Sequence, residues 1–306
     1  MTTPFPIAGL ALTGPGLERS AERRTDALLL PTLLGDPATR VLAIRRGRLP
    51  IDATDRLRWR APHPDDRDRL VVFLGTDGEH TAYVGVMEDP TESDRDEGWA
   101  GLRAVAATLP AAEGATAATL IALANWHATH SRCPRCGAPT EPVLAGWVRR
   151  CAEDGSDHFP RTDPAVIMAV TDADDRLLLA RGSGFLAAGM SVLAGFVEPG
   201  ETLAAAVARE VAEEVGVTVT EVEYVGDQPW PFPTGLMIGF RARARDTALR
   251  LRDGEIEAAR WFTRAELDAA LGEEGLRIPG RASIARRLIE DWYGAPLEAP
   301  DTMLRR

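Results

Sequence analysis

The sequence predicts an α/β protein whose larger part is an α/β/α sandwich with a mixed sheet. Two observations favour this class: short apolar runs alternate with helical patterns from residue 161 onward, and 306 residues suffice for about two domains. A third is a Cys-x-x-Cys segment that separates this region from a shorter one with fewer strands. We therefore expect an N-terminal α+β domain at 1–125, a cysteine-containing ribbon at 126–160 and the sandwich at 161–306.

The composition is ordinary for a globular protein, with 45% hydrophobic and 26% charged residues. No apolar run reaches the roughly 18 residues of a membrane span, and the first residues lack the basic start of a secretory signal. We therefore expect a cytoplasmic protein with no membrane partner. The net charge of -11 argues against a protein that clamps long duplex nucleic acid, because such proteins neutralise many phosphates with Lys and Arg. A small phosphorylated ligand or a single RNA 5′ end, gripped locally, is compatible with it.

In the N-terminal region the patterns predict three strands and two helices. The strands are expected at 40–45, 70–73 and 81–87. The helices are expected at 102–109 and 116–126, with a break at Glu113-Gly114 between them. This mixture indicates a small α+β domain.

The three cysteines suit a metal knuckle better than a disulfide framework. Cys133 and Cys136 form a Cys-x-x-Cys-Gly sequence, and Cys151 follows on the far side of a short hairpin, which is the arrangement of a zinc ribbon. Zn²⁺ needs a fourth ligand, and either Asp154 or His158 can supply it. Two alternatives are a knuckle that keeps its fold without metal and, least favoured, a redox pair, which needs a strand-to-helix context.

From residue 161 the strand and helix patterns are those of a compact α/β domain. Strands are expected at 165–170, 176–180, 191–195, 219–225, 236–242 and 255–262, and the last two helices at 265–271 and 283–292. This order fits a mixed sheet between helices.

The most strongly patterned stretch is 195–217, a loop followed by a helix. Pro199-Gly200 is a turn dipeptide, Thr202 is a polar residue ahead of the helix, and Gly216 stands at its C-terminal cap position. Apolar residues recur at fourfold spacing and predict one buried stripe: Leu203, Val207, Val211 and Val215.

On this helix Glu210, Glu213 and Glu214 stand at i, i+3 and i+4, so that three carboxylates share one face. They repel one another unless a cation neutralises them, and carboxylates with no nearby His or Cys suit Mg²⁺ or Mn²⁺. Such ions are usually shared with substrate phosphates. For an arbitrary pair of glutamates, a solvated acidic face would be the better interpretation.

The spacing decides between these interpretations. Gly195, five residues, Glu201, seven residues and then the run Arg209-Glu210-Val211-x-Glu213-Glu214-x-Gly216-Val217 match every fixed position of the Nudix hydrolase box. The stretch therefore resembles that family. The resemblance implies metal-assisted hydrolysis of a nucleoside diphosphate linked to another group.

Downstream, three prolines alternate with aromatic residues. We call this stretch, 229–234, the proline segment: Pro229, Trp230, Pro231, Phe232, Pro233 and Thr234. It is stiff and cannot be an interior strand, so it presents its two rings at little ordering cost. Taken alone it would be a rigid loop lining a core.

With Gln228 in front of it, and together with the box, the proline segment resembles the signature of the NADH pyrophosphatases, bacterial enzymes that also remove NAD caps from RNA. The resemblance covers about residues 126–293. Two positions depart from the pattern: Gly235 stands where the family usually has Ser, and Asp154 where it has the last zinc cysteine.

The resemblance implies catalytic roles for the box residues. Catalytic Mg²⁺ or Mn²⁺ would be held by Glu210, Glu214, Glu255 and the Ala194 carbonyl. Glu213 would be the general base, with Glu255 as the alternative. Glu201 and Arg209 would form an orienting ion pair.

The resemblance also implies a dinucleotide pocket and a homodimer. Phe159 and Phe196 would stack on a base, although ordinary core packing is the alternative for both. The pocket would be lined by Gln228 to Gly235, by Ala285 and by Arg103, partly from a second subunit, and the products would be NMN or its reduced form and AMP. Two rival functions are hydrolysis of another substrate, such as ADP-ribose or an oxidised nucleotide, and a non-catalytic nucleotide sensor.

Overall fold

The computed structural model describes residues 7, 9–89, 97–251 and 254–299, which fall into two compact units. The N-terminal unit consists of Ala11–Thr162 together with Pro229–Thr234. The remaining described residues form the C-terminal unit. The division into three segments at 125 and 160 stays a prediction.

The described residues of the N-terminal unit form eight strands, three α-helices and three short 3-10 helices. In chain order they are the 3-10 helix Ala21–Thr25, α1 Leu29–Gly35, β1 Arg40–Ile44, β2 Arg48–Pro50, the 3-10 helix Pro64–Asp68, β3 Leu70–Thr76, β4 Ala82–Met87, β5 Trp99–Gly101, α2 Leu102–Val105, α3 Ala111–Thr129, β6 Thr140–Val143, the 3-10 helix Leu144–Gly146, β7 Val148–Cys151 and β8 Asp157–His158. They form a three-stranded sheet β1-β4-β3, a pair β2-β5 and an antiparallel ribbon β6-β7-β8. The α+β class expected for this region is what these elements form.

Helix α3 packs against β3 at close range because Gly85 on the neighbouring strand β4 has no side chain. A Cβ placed there would lie 2.3 Å from Leu120 Cδ1 of α3. The predicted break at Glu113-Gly114 is wrong, since α3 runs through both residues. Glu113 lies in the first turn, where a carboxylate is favoured by the helix dipole, and it accepts a bond from the Leu57 backbone N–H at 2.8 Å. The preceding helix is shorter than predicted and ends at Val105.

In the part of the C-terminal unit that the structure describes there are a six-stranded mixed sheet and three helices. They are β9 Asp163–Thr171, β10 Leu177–Gly182, β11 Leu193–Phe196, α4 Leu203–Val215, β12 Val219–Trp230, β13 Gly235–Ala244, β14 Ile256–Phe262, α5 Arg264–Gly272 and α6 Ile284–Tyr293. The strand order is β12-β13-β9-β10-β14, and β11 also pairs with β9. Strands β9 and β13 are parallel, whereas β10 and β11 run antiparallel to β9.

Side chains on strand β9 alternate between two cores, one on each face of the sheet. Val166 and Met168 pack with α4, whereas Ile167 and Ala169 pack with α5 and α6. This alternation follows from the two-residue period of a strand. The expected α/β/α sandwich with a mixed sheet is therefore confirmed. Among the described residues, no helix is long and apolar enough to cross a membrane.

Strand β12 begins where the sequence predicted but continues to Trp230, five residues beyond the predicted end. It contains Pro229 and stands at the end of the strand order. An edge strand tolerates proline because one side of its backbone needs no N–H donor. The expectation that the prolines exclude an interior strand agrees with this position.

Candidate active site

Helix α4 forms between the two caps that the sequence predicts. Thr202 Oγ1 accepts a bond from the Ala205 N–H at 3.2 Å, and Gly216 adopts a left-handed φ of 73°. Val207 and Val211 are fully buried, so the helix faces the core as expected. Leu203, by contrast, is 38% exposed because it is the first residue of the helix and lies beyond the buried stretch.

The Glu210 carboxylate lies directly against the backbone of Gly195 on β11. A Cβ added at Gly195 would lie 1.9 Å from Glu210 Cδ, closer than any non-bonded atoms approach. The box therefore needs glycine here for space, since its φ is not positive. Ala194, which precedes Gly195 on the same strand, is exposed.

Arg209 connects the acidic residues of the box. Its guanidinium donates two bonds to Glu201, both at 2.9 Å, and further bonds to Glu210 at 2.9 Å and Glu213 at 3.0 Å. A fifth bond goes to the Phe196 carbonyl at 2.9 Å. The hydrogen bond with Glu201 is the main cause that raises the pKa of Arg209 above its usual value, and the bonds with Glu210 and Glu213 raise it further. The ion pair between Glu201 and Arg209 thus has the geometry expected of an orienting pair.

The local field disfavours negative charge on Glu210. Burial is the main cause that raises its pKa, and the negative charges of Glu213 and Glu255 raise it further, while Arg209 opposes the shift. Glu214, one helical turn on, is 7% exposed. A divalent cation beside these oxygens would relieve the repulsion, and carboxylate oxygens are the donors that Mg²⁺ and Mn²⁺ accept. The residues present therefore fit such an ion.

Glu255 was expected on a late strand, but it precedes β14 by one residue. Its side chain is exposed, and its carbonyl accepts a bond from the Ser183 N–H at 3.0 Å. Its charge acts on Glu210, so the two carboxylates lie in the same electrostatic environment. A position directly before the first residue of a strand is compatible with the predicted role of the Glu255 side chain beside the box glutamates.

The three cysteines and Asp154 form a compact group in the N-terminal unit. Their ligand atoms all lie within 4.8 Å of one another, with Cys136 Sγ and Cys151 Sγ 3.5 Å apart. His158 is not part of the group, and its Nε2 lies 3.1 Å from Ser156 Oγ. Of the two candidates for a fourth ligand, the geometry therefore selects Asp154.

The charged forms that bind metal are favoured locally at Cys133 and Asp154 but not at Cys151. The backbone N–H groups of Asp154 and Glu153 favour the Cys151 thiolate, but burial and the side chains of Asp154 and Cys136 outweigh them and raise the pKa of this thiol to about 11. Burial raises the pKa of the Cys133 thiol, but the backbone N–H groups of Cys136 and Arg135 more than offset it and lower the value to about 6. The Ser156 hydroxyl and N–H hold the pKa of Asp154 well below its usual range. The cysteines border an antiparallel ribbon, not a strand-to-helix unit, so the residues fit a zinc knuckle and not a redox pair.

Phe159 and Phe196 are both exposed, at 68% and 65%. Core packing, the alternative interpretation of these two rings, is therefore wrong. Exposed rings of this size are available for stacking on a heterocycle. Phe159 belongs to the N-terminal unit and Phe196 to the C-terminal unit.

Within the proline segment, Trp230 and Phe232 meet edge to face, with ring centroids 5.0 Å apart. The Arg103 guanidinium lies over both rings, 4.5 Å from the centroid of Phe232 and 5.3 Å from that of Trp230. Burial lowers the pKa of Arg103. The structure thus brings Arg103, a predicted pocket residue, onto the proline segment.

Asn125 on α3 is a residue that the sequence did not reveal. Its Nδ2 donates to the carbonyls of Pro231 at 3.0 Å and Pro233 at 2.9 Å. Proline carbonyls in a tight segment have few backbone donors nearby, and this amide satisfies two of them. The sequence gives no local signal for this role, because the partners of Asn125 are more than 100 residues away.

Gln228 and Ala285 are buried in the C-terminal unit. Gln228 is fully buried, and its amide donates to the Ala282 carbonyl at 2.7 Å and accepts from the Ile284 N–H at 2.8 Å. It therefore holds the start of α6. Ala285 is 4% exposed in the core beneath the same helix. Contact of Gln228 and Ala285 with substrate stays a prediction. Pro229 and Gly235, two other predicted pocket residues, are at least partly exposed.

Comparison with known families finds a match for the region of the box and another for the region of the cysteine group. The model of the Nudix domain matches residues 161–282, and the model of the NADH pyrophosphatase zinc ribbon domain matches residues 128–159. The first match contains the box and the second contains the cysteine group.

Several characterised relatives are similar over most of the chain. NAD-capped RNA hydrolase NudC of Mycobacterium bovis and that of Mycobacterium tuberculosis H37Rv are each 40% identical to it over 269 residues, which is 84% of either chain. The human NAD-capped RNA hydrolase NUDT12 is 41% identical over 179 residues, 55% of this chain and 39% of its own. The chain therefore belongs to the family of these relatives, the Nudix hydrolases that carry an NADH pyrophosphatase zinc ribbon.

Proposed function

We propose that the protein hydrolyses the diphosphate bond of NAD(H), giving NMN or NMNH and AMP, and that it removes the NAD cap from RNA 5′ ends. The observation that carries the reaction type is the Glu210 carboxylate seated against Gly195, with Arg209 bridging it to Glu201 and Glu213. The substrate class is supported by the relatives, which are named as NAD-capped RNA hydrolases.

The residues that would hold Mg²⁺ or Mn²⁺ are Glu210, Glu214, Glu255 and the carbonyl of Ala194. When bound, such ions neutralise the diphosphate and lower the pKa of a bound water. The role of the chain is to fix the carboxylates in advance. Glu210 is held by Gly195 on one side and Arg209 on the other.

Glu213 is the proposed general base, with Glu255 as the alternative. The side chain of Glu213 is 57% exposed, so it can reach a water molecule, whereas Glu214 is nearly buried. Arg209 donates to one Glu213 oxygen and leaves the other for the proton. Glu201, which accepts bonds from Nε and Nη2 of the same guanidinium, orients Arg209 and does not touch substrate.

The dinucleotide would be recognised by flat rings and by the proline segment. Exposure of Phe159 and Phe196 supports stacking on its bases. Arg103, lying over Trp230 and Phe232, adds a positive charge beside that segment. Pro229 to Gly235, Gln228 and Ala285 complete the proposed pocket, which a second subunit of a cytoplasmic homodimer would share. Zn²⁺ held by Cys133, Cys136, Cys151 and Asp154 would be structural.

A comparison of four substrates tests the proposal. Purified protein with Mg²⁺ or Mn²⁺ is given NADH, NAD⁺, NAD-capped RNA and ADP-ribose at equal concentration, and the products are separated by chromatography. We expect NMN or NMNH and AMP from the dinucleotides, release of NMN from the RNA, and a lower kcat/KM for ADP-ribose. Glu210→Gln serves as the inactive control. A higher kcat/KM for ADP-ribose, or equal turnover by the variant, would contradict the proposal.

A further inference from the structure

The N-terminal unit contains a cavity that none of the residues proposed for hydrolysis lines. Its volume is about 660 Å³, which lies within the range of small-molecule sites. Its walls come from the 3-10 helix at 21–25, from α1, from the start of β3 and from the segment 142–146 that joins β6 to β7. We call it the α1 pocket.

Part of the lining of the α1 pocket is apolar. It includes Leu30 and Leu34 on α1 together with Leu70 and Leu144. Leu30 and Leu34 are only half-buried, although they pack against the core cluster around Phe73. The remaining apolar area of these side chains is available to a ligand.

The lining also includes three arginines and one aspartate: Arg24, Arg67, Arg69 and Asp26. Arg69 is engaged by Asp66 at 3.4 Å and Glu88 at 3.6 Å. Arg67 makes no ion pair with any residue that the structure describes. Arg24 lies close enough to Glu22 and Arg19 for their opposite charges to act on it. Because Arg67 has no ion-pair partner and Arg24 Nε has no hydrogen-bond partner among the described residues, the lining favours an anion.

Arg24 is the guanidinium most restricted by its surroundings. It stacks on Trp147 with its Cζ 3.8 Å from the ring centroid, and burial lowers its pKa. Its Nε is buried and has no hydrogen-bond partner among the described residues. A buried donor of this kind costs stability unless a ligand or water satisfies it.

The wall at 144–146 adopts an unfavourable backbone conformation. Leu144 and Ala145 both have left-handed φ values, 49° and 51°, and Gly146 follows with 85°. The turn is held by the Gly146 carbonyl, 2.8 Å from His127 Nε2, and by the Trp147 Nε1–H, which donates to the Phe73 carbonyl at 2.7 Å. Strained backbone that the surroundings hold in this way is concentrated at functional and ligand-binding sites.

We propose that the α1 pocket binds a small amphipathic anion, with its carboxylate or phosphate group at Arg24 and Arg67 and its apolar body on Leu30 and Leu34. Long nucleic acid fits less well, because several lining residues are aliphatic and Asp26 repels a second phosphate. The site is separate from the proposed hydrolysis and does not depend on it.

Calorimetric titration of the full-length protein as purified, without added Mg²⁺ or Mn²⁺, tests the proposal. The probes are octanoate and phenyl phosphate, which distinguish a carboxylate from a phosphate head group. Octanol provides an apolar body without a charge, and inorganic phosphate provides a charged group without an apolar body. We expect saturable binding of at least one amphipathic anion at one site per chain. Octanol and inorganic phosphate should bind at least about tenfold more weakly, since each lacks one half of the recognition. Saturating NADH should leave the affinity unchanged.

The variants are Arg24→Gln and Arg67→Gln, with Arg23→Gln as the matched control. Arg23 lies on the same 3-10 helix but does not line the pocket. Loss of a charge-assisted bond should weaken binding by about tenfold or more in the first two variants and leave the control unchanged. Arg67 is exposed, so its variant stays informative if Arg24→Gln fails to fold. Absence of saturable binding at millimolar probe, equal affinity for octanol, competition by NADH, or an equal loss in Arg23→Gln would overturn the proposal.

Discussion

At the scale of single residues, Gly195 leaves no room for a side chain beside the Glu210 carboxylate. Since a Cβ at Gly195 would lie 1.9 Å from Glu210 Cδ, Gly195→Ala must displace the carboxylate. We expect kcat to fall on the order of a hundredfold, because small displacements of catalytic groups cost about that much. The measurement is kcat for NADH under saturating Mn²⁺, together with the Tm.

Gly184→Ala is the control for this prediction. No atom lies within 4 Å of a Cβ placed at Gly184, and its φ is not positive. It should leave kcat and the Tm unchanged. Near-normal kcat in Gly195→Ala would mean that the position of Glu210 is not critical, and the proposed metal role of Glu210 would fail with it.

Asn125 carries a second prediction at this scale. Asn125→Ala removes the donors to the Pro231 and Pro233 carbonyls, so the proline segment should lose its fixed conformation. We expect KM for NADH to rise while kcat changes little. The rise in KM should not exceed that of Trp230→Ala, since loss of a stacking aromatic side chain costs roughly ten- to a hundredfold in affinity.

Thr129→Ala is a matched control on the same helix, because Thr129 Oγ1 bonds within its own segment, to the Asn125 carbonyl at 2.9 Å. The measurement is kcat and KM for NADH and for ADP-ribose. If Asn125→Ala and Trp230→Ala reduce kcat/KM equally on both substrates, the proline segment supports the fold and does not select the dinucleotide.

At the scale of elements, the ribbon β6-β7-β8 is expected to depend on zinc. Three sulfurs and one carboxylate oxygen within 4.8 Å can close a tetrahedron, so about one zinc per chain should co-purify. A chelator should remove it and lower the Tm. Asp154→Ala should retain less zinc, whereas His158→Ala should retain it fully, because His158 lies outside the group. Elemental analysis that finds no zinc in protein never exposed to chelator would contradict the assignment.

His127 links α3 to the ribbon and gives a pH dependence. Its Nε2 lies 2.8 Å from the Gly146 carbonyl and must donate, so Nδ1 is the acceptor for Arg149 Nη1 at 2.9 Å. Burial lowers the pKa of His127 to about 4, from an unfolded value of 6.5. The folded protein therefore binds fewer protons than the unfolded chain between these values. The stability from neutral His127 is complete above pH 6.5 and is lost as pH falls toward 4.

The measurement is the free energy of unfolding between pH 4 and pH 7 for wild type and for His127→Gln. The variant should be less stable at pH 7 and should lose less stability toward pH 4. His63→Gln, at a surface position, should follow the wild type. Parallel curves for wild type and His127→Gln would show that His127 is not the group that titrates.

At the scale of the whole molecule, the charge of -11 limits how RNA is bound. A chain with this balance should contact only the first phosphates of a capped RNA. We expect log kcat/KM to fall linearly with the logarithm of the salt concentration. The slope should be near -0.7 for each contacted phosphate, and we expect contacts with about one or two phosphates. RNAs of increasing length should give the same slope. A slope that steepens with RNA length would reveal an extended binding track.

The sequence by itself determined the parts of this protein that depend on local rules. Caps and a fourfold apolar spacing predicted α4 from Leu203 to Val215, and the spacing of Cys133, Cys136 and Cys151 predicted the ribbon. The alternation of strands and helices predicted the mixed sheet. Caps, periods and metal-ligand spacing act within a few residues, so they can be recognised before the fold is known.

The tertiary structure alone decided which side chains are covered and which distant segments meet. Phe159 is exposed whereas Gln228 is buried, although residue type suggests the opposite for both. Asn125 holds a segment more than 100 residues away, and Asp154 lies with the cysteines where His158 does not. Such contacts depend on how layers pack and on which loops close, and residue type and local spacing do not encode either.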